Sequence, residues 1–225
     1  MKNVNLFACV LLCVAILFSG CGASNTTKGT AIGAGGGAAL GAGLGALLGD
    51  GKGAAWGAGI GAVVGGAAGA LIGNKMDKQK KELEQIQNAQ VETVNDGQAI
   101  KVTFDSGILF ATGKYDLNQS SKTALTQFAN TLKTYSDTDV QIYGHTDSSG
   151  GDNINLPLSQ NRALSVQSYL TSQGISNSRM TSQGLGSSQP VAAETRGVQA
   201  LNRRVEVFIL PNAKMIQEAQ AGTLR

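Results

Sequence analysis

The sequence predicts an α/β (α+β) domain over 99–211, a mixed four-stranded sheet covered by helices, preceded by a signal peptide and a Gly-rich helical hairpin. Three observations predict it. A short apolar run near the N-terminus ends in a cysteine. Residues 29–73 place glycine at every fourth position. From Ala99 onward, β-rich and helix-periodic segments alternate, which is the pattern of a mixed sheet carrying helices.

The first element, 1–20, reads as an export signal. Lys2 supplies the positive start, and the apolar stretch from Leu6 to Phe18 is 13 residues long. That is short of the roughly 20 residues needed to span a bilayer, and it fits the hydrophobic core of a signal peptide. The run ends in Phe18-Ser19-Gly20-Cys21. Small residues before a cysteine at this place resemble the lipobox of bacterial lipoproteins, although Phe18 stands where those proteins prefer Leu. The resemblance implies cleavage before Cys21, acylation of Cys21 and insertion in lipid, with 21–28 as a lipidated tether. More than one acyl chain is what stable anchoring needs. Gly22 follows the cysteine, where the inner-membrane retention signal of such lipoproteins is typically Asp. The expected location is therefore the cell outer membrane, with the C-terminal domain in the periplasm.

Residues 29–73 form the second element. Gly29, Gly33, Gly37, Gly41, Gly45 and Gly49 are four apart, and the phase continues through Gly53 to Gly73. Such spacing lines glycine along one helix stripe, where backbones approach closely. Asp50-Gly51-Lys52 is a polar turn between two uncharged halves. Each half is about 31 Å long as a helix, close to one bilayer core. The segment reads as a glycine-zipper helical hairpin that lies in membrane or self-associates into a homo-oligomer through 29–73. Eighteen glycines in these 45 residues penalise helix in water by about 1 kcal/mol each, so disorder outside lipid is the competing reading. The Gly51-Lys52 string lacks the Ser or Thr of a phosphate-binding loop, and no strand precedes it.

Residues 74–98 follow as a charged linker, read as a solvated helix or tether. Within the next element, Ala99–Phe104 alternates as a half-buried strand. Asp105-Ser106-Gly107 signals a turn, and 108–110 continues extended. Asn118 or Ser120 caps a helix with apolar Leu125, Phe128, Ala129, Leu132 and Tyr135. Val140 to Gly144 is a strand, 147–157 a polar loop, and Ser159 caps a second helix. Strands at 179–184 and 205–210 complete the set, with a short helix near Val198. The tail, 212–225, shows no strong pattern.

Composition excludes several functions. Cys9, Cys13 and Cys21 all precede residue 22, so the folded part has no disulfide and no thiolate metal site. Within 91–213 there are nine Lys/Arg and ten Asp/Glu. That balance lacks the clustered basic charge of a nucleic-acid footprint, and no nucleic acid is expected as partner. His145 is the only histidine. Without a placed nucleophile or a second metal ligand, no enzyme, no metal and no cofactor is expected.

The remaining motif carries the function. It runs Gly144-His145-Thr146-Asp147, Asn155, Leu158-Ser159-Gln160-Asn161-Arg162-Ala163, then Gly184-Leu185-Gly186, Pro190 and Asn202-Arg203-Arg204-Val205. This order and spacing resembles the peptidoglycan-binding domain of the OmpA family, in its glycine-zipper lipoprotein branch. The resemblance implies non-covalent binding of the diaminopimelate-containing stem peptide of peptidoglycan, and so a tether between outer membrane and cell wall. Asp147 occupies the position that holds the ligand ammonium, and Arg162 the position that holds its carboxylate bidentately. Arg162, in the first turn of a helix begun at Ser159, would gain from free backbone N–H groups there. Thr146, Asn155 and Arg203 complete the expected site, Asn155 either shaping the loop or contacting ligand. Ala111 and Thr112 depart from the family, which often has an acidic and an aromatic residue after Phe110. A second reading makes the chain a glycine-zipper-driven oligomeric structural or pore component of the envelope. A third, a wall hydrolase, lacks the residues it needs.

Overall fold

The computed structural model describes residues 64–194 and 199–225. The signal peptide, Cys21 and the zipper as far as Val63 lie outside the described residues.

The first helix, α1 (Gly66–Leu83), begins inside the expected zipper. Its buried positions are Gly69, Ile72, Met76, Gln79 and Leu83, spaced three and four apart, so one face is committed to the body of the domain. Gly66 starts it at φ 70, after extended Gly65. Just before that break, Val64 exchanges two hydrogen bonds of 3.0 Å with the Gln98 side chain. Gly69 is required here, because a Cβ would lie 1.9 Å from the Val64 carbonyl oxygen. Lys75 pairs with Asp137 at 2.5 Å, and the Tyr135 hydroxyl donates to Glu82 at 2.9 Å.

These contacts correct the reading of 74–98 as a solvated tether, since its helix and its edge strand are part of the folded body. The last residues assigned to the zipper, 66–73, are the opening turns of α1. Among the described residues no helix is long and apolar enough to cross a membrane.

After α1 the chain forms β1 (Ala89–Val94), β2 (Ala99–Asp105), the short helix α2 (Ser106–Leu109) and α3 (Gln119–Thr134). Then come β3 (Thr138–Gly144), α4 (Asp152–Ser172), β4 (Met180–Gly184), β5 (Arg204–Pro211) and α5 (Ala213–Gln220). The sheet has five strands and not four, in the order β1-β2-β5-β3-β4. β3 and β4 are parallel; the other pairs are antiparallel. The missed strand is β1. It is an edge strand with no fully buried residue, and its short alternation breaks at exposed Thr93.

One face of the sheet carries Ile100, Val102 and Phe104 from β2, Val205, Val207 and Ile209 from β5, and Val140 and Ile142 from β3. Leu125 and Phe128 of α3, Ala163 and Val166 of α4, and Met215 of α5 pack into the same core. Phe104 and Phe128 meet edge to face at 5.9 Å.

Asn118 caps α3, as the sequence predicts, by accepting from the Ser121 N–H at 2.9 Å. Three local readings change. Residues 106–109 are helical, because the Asp105 carboxylate accepts from the Gly107 N–H and caps a turn there. Helix α4 starts at Asp152, seven residues before Ser159, and carries Pro157 within it. Pro157 is the sixth residue of the helix and lacks the N–H that would bond back to the residue four before it. The polar tail becomes α5, capped by Asn212 and burying Met215 and Ala219.

Truncating Met76, fully buried on α1, tests whether that helix belongs to the domain. Met76→Ala is expected to destabilise the intact chain by about 2–5 kcal/mol in urea unfolding. A change below about 0.5 kcal/mol, the size of a surface substitution, would make α1 an independent appendage.

Candidate functional site

The site lies where the central strands end. β3 and β5 pair in a register that sets Gly144 opposite Val205. Beyond that pair the chains stay joined, His145 N–H donating to the Arg204 carbonyl at 2.9 Å. On the other side, Leu185 N–H donates to the Gly144 carbonyl and Thr146 N–H to the Gly186 carbonyl, both at 2.9 Å. The 145–147 segment is thus held between two neighbours as it leaves the sheet.

Helix α4 approaches this end of the sheet closely. A Cβ on Gly144 would lie 2.1 Å from the Ser159 carbonyl oxygen, and one on Gly184 would lie 2.3 Å from the Gln160 nitrogen. Ser159 Oγ accepts from the Gly186 N–H at 2.9 Å, and Gln160 Oε1 accepts from the Gly184 N–H at 2.7 Å. Ser159 is therefore a mid-helix fastener and not a cap. Arg162 lies in the third turn of α4, so the expected help from free N–H groups is absent.

Asp147 is buried, its side chain 3% exposed. Its Oδ1 accepts from Ser149 N–H at 3.3 Å and from Ser149 Oγ at 2.5 Å. Its Oδ2 accepts from Gln199 N–H at 3.3 Å and from Arg203 Nη1 at 2.6 Å. Burial alone would raise its pKa. The bonds from Ser149, Arg203 and Gln199 outweigh that and hold the carboxyl below its ordinary value. The Asn155 side chain donates to the Asp147 backbone carbonyl at 3.0 Å, so Asn155 shapes the loop.

Arg162 is also buried. Its guanidinium stacks over the Phe110 ring, 5.3 Å from the centroid. Its Nε donates to the Lys114 carbonyl at 3.0 Å, which orients the fork. Burial pushes its pKa down, Arg203 adds to that push, and Asp147 opposes it. The two residues do not form an ion pair with each other; Asp147 is paired with Arg203.

All five expected residues, Thr146, Asp147, Asn155, Arg162 and Arg203, line one cleft of about 340 Å³. Ala111 and Thr112 line it too. The Thr146 hydroxyl is buried there without a hydrogen-bond partner among the described residues. Sequence reasoning missed Ser149 and Gln199 as donors to Asp147, and Phe110 as the platform for Arg162. Ser149 was findable, since an Asp side chain often accepts from the residue two places on. Gln199 comes from a loop 52 residues downstream, with no local signal.

Glu194 fastens the opposite rim. It accepts from Ser148 N–H at 3.0 Å, from the Ser148 hydroxyl, and from Asn202 Nδ2 at 2.8 Å. Behind the site, Arg204 Nε donates to Glu206 at 2.8 Å. His145 Nε2 lies 3.7 Å from the same carboxylate, beyond hydrogen-bond length. Burial lowers the His145 pKa and so favours neutral imidazole. Burial opposes ionisation of Glu206, but the Arg204 guanidinium bonded to it, joined by His145 when that imidazole is protonated, overrides burial and pulls the Glu206 pKa to about 2.

That depression fixes the sign of an acid response. The stability contributed by Glu206 is fully present above the ordinary carboxyl value of about 4.3. It is lost as pH falls through the folded value of about 2. Acid unfolding followed by circular dichroism is expected to show this limb, and Glu206→Gln is expected to flatten it. An unchanged acid limb in the variant would remove Glu206 from the account.

Residues 109–204 match the model of the OmpA family, and residues 1–77 match the YMGG-like Gly-zipper. The probable lipoprotein YiaD of Escherichia coli is 38% identical over 122 residues, covering 54% of this chain and 56% of YiaD. The peptidoglycan-binding protein ArfA of Mycobacterium tuberculosis is 36% identical over 112 residues, covering 49% of this chain and 34% of ArfA. The chain thus spans about half the length of the first relative and a third of the second. The structure of the cell wall anchor of the T6SS from Pseudomonas aeruginosa superposes with a TM-score of 0.51 at 26% identity, covering 61% of this chain and 97% of that one. The chain is therefore similar to the OmpA family over 109–204 and to the YMGG-like Gly-zipper family over 1–77.

Proposed function

We propose that this chain is an outer-membrane lipoprotein whose C-terminal domain binds peptidoglycan non-covalently and tethers the outer membrane to the wall. One observation carries the reading. A buried carboxylate, a buried guanidinium whose terminal nitrogens bond to none of the described residues, and a hydroxyl without a partner among them share one cleft. An ammonium and a carboxylate carried on one small headgroup complement that set, since each is met by a charge of opposite sign. The free end of diaminopimelate in the wall stem peptide has this chemistry. Asp147 takes the ammonium, Arg162 takes the carboxylate, and the Thr146 hydroxyl supplies a further bond. Asn155 and Arg203 shape the Asp147 side of the cleft.

The names of the relatives support the wall as partner: ArfA is a peptidoglycan-binding protein, and the superposed structure is a cell wall anchor. YiaD, a probable lipoprotein, supports acylation at Cys21 as the membrane attachment. The zipper before Val64 is then free to associate with other copies.

The test is retention of the detergent-extracted mature protein on purified peptidoglycan. Asp147→Ala and Arg162→Ala each remove a charge-assisted contact and are expected to lower the retained affinity about tenfold or more. Circular dichroism checks that both variants fold. Wild-type protein that fails to sediment with the wall would sink the proposal.

A further inference from the structure

A carboxylate offers about four acceptor positions, and all four on Asp147 are taken in the free protein. Three donors are fixed by the backbone or by a short side chain two residues away: Ser149 N–H, Ser149 Oγ and Gln199 N–H. The fourth, Arg203, differs in kind. Its side chain is 39% exposed, while the Asp147 side chain it covers is 3% exposed. An incoming ammonium therefore meets an occupied site whose one movable occupant is itself a cation. Arg203 also stands close enough to Arg162 for the two guanidinium charges to repel.

We propose that Arg203 is a displaceable counter-ion: it fills the ammonium position of the free site and is expelled when a cationic headgroup binds Asp147. This rests on the wall-binding reading and sharpens it. Among the described residues that line the cleft, the Arg162 fork is the one charge not held in an ion pair. The free cleft then attracts carboxylates but holds none on Asp147's side. A ligand with both charges exchanges partners. Its ammonium replaces Arg203 on Asp147, and its carboxylate pairs with Arg162 and can recruit the released Arg203. A ligand with only an ammonium must expel Arg203 without offering it a new partner. A ligand with only a carboxylate leaves the Arg203–Asp147 pair intact. The device selects for a zwitterionic headgroup over either single charge, a property that Asp147 and Arg162 alone would not confer so strongly.

The sign of one substitution separates this from the simpler role of a ligand contact. Calorimetric titration of the detergent-extracted mature protein would use free diaminopimelate and cadaverine, a diamine without carboxylates, on wild type and Arg203→Gln. Removing the competitor is expected to tighten cadaverine about two- to fivefold, the worth of a partly exposed ion pair. Diaminopimelate is expected to change less, so that the preference for the zwitterion narrows. Weaker cadaverine binding or no change in Arg203→Gln, with wild type still binding diaminopimelate, overturns the counter-ion role and leaves the site reading standing. No binding of diaminopimelate to wild type, and none to Asp147→Asn, removes the site reading and this inference with it. Arg203→Lys, which keeps the competing cation, is expected to stay near wild type; tightening equal to that of Arg203→Gln would also overturn the proposal.

Discussion

A carboxylate removed from water must be surrounded by donors or it takes up a proton, and the architecture around Asp147 follows from meeting that demand. Its partners come from three stretches: the loop after β3, the segment before β5, and Arg203 at the foot of β5. They converge because β5 occupies the middle of the sheet, antiparallel to β2 and to β3. The register of β5 matters as much as its place. Side chains alternate along a strand, so a slip of one residue would exchange neighbouring positions between the two faces. Arg203 would leave Asp147, and Arg204 would leave the Gln189 carbonyl that it now reaches. Seven successive buried residues, Arg204 to Leu210, hold that register.

The cationic half of the cleft depends on a different constraint. Arg162 is delivered by α4, and α4 can lie against the ends of β3 and β4 only because Gly144 and Gly184 lack side chains. Ser159 and Gln160 then fix the helix to the loop beyond β4. The motif residues divide accordingly. Ser159 and Gln160 set the position of the helix, Ala163 faces the core, and Arg162 alone points its charge into the cleft. Phe110 and the Lys114 carbonyl complete its setting from the connection between α2 and α3. This connection also carries Ala111 and Thr112, so the wall of the cleft beside Arg162 is small and weakly polar. A charged residue there would alter the field at the guanidinium directly.

Much of this was legible in the sequence, for reasons that differ by element. Strands β2, β3 and β5 alternate or run apolar, and α3 repeats its apolar residues with a capping Asn118; such patterns report burial directly. The five cleft residues were legible through motif order, and the cleft unites them. The start of α4 was hidden because Pro157 and a polar first turn resemble a loop. β1 and α5 were hidden because each buries only a few side chains, Met215 and Ala219 in the case of α5. The pairing of Asp147 with Arg203 was hidden for a deeper reason. Opposite charges 15 and 56 residues away are equally plausible partners on paper, and strand register decides between them.

The same limit applies at the other end of the domain, where a repeat seemed to define a boundary. Glycine at every fourth position continues to Gly73, yet the physical boundary falls at Gly65–Gly66, where the backbone turns to φ 70. Periodicity reports which residues share a stripe and is silent about what lies against the stripe. At Gly69 the neighbour is the chain's own Val64 carbonyl, fastened by Gln98. Past that point Ile72 and Met76 take over the face, and the helix becomes part of the hydrophobic core. The zipper therefore enters the domain through a clamped turn and a buried helix, and not through a free linker. A pull between the N-terminal segment and the cleft would be borne by α1 packed on β1 and β2, with the Lys75–Asp137 and Tyr135–Glu82 contacts resisting separation. Because β2 pairs directly with β5, that load path ends at the strand that carries Arg203 and closes the site.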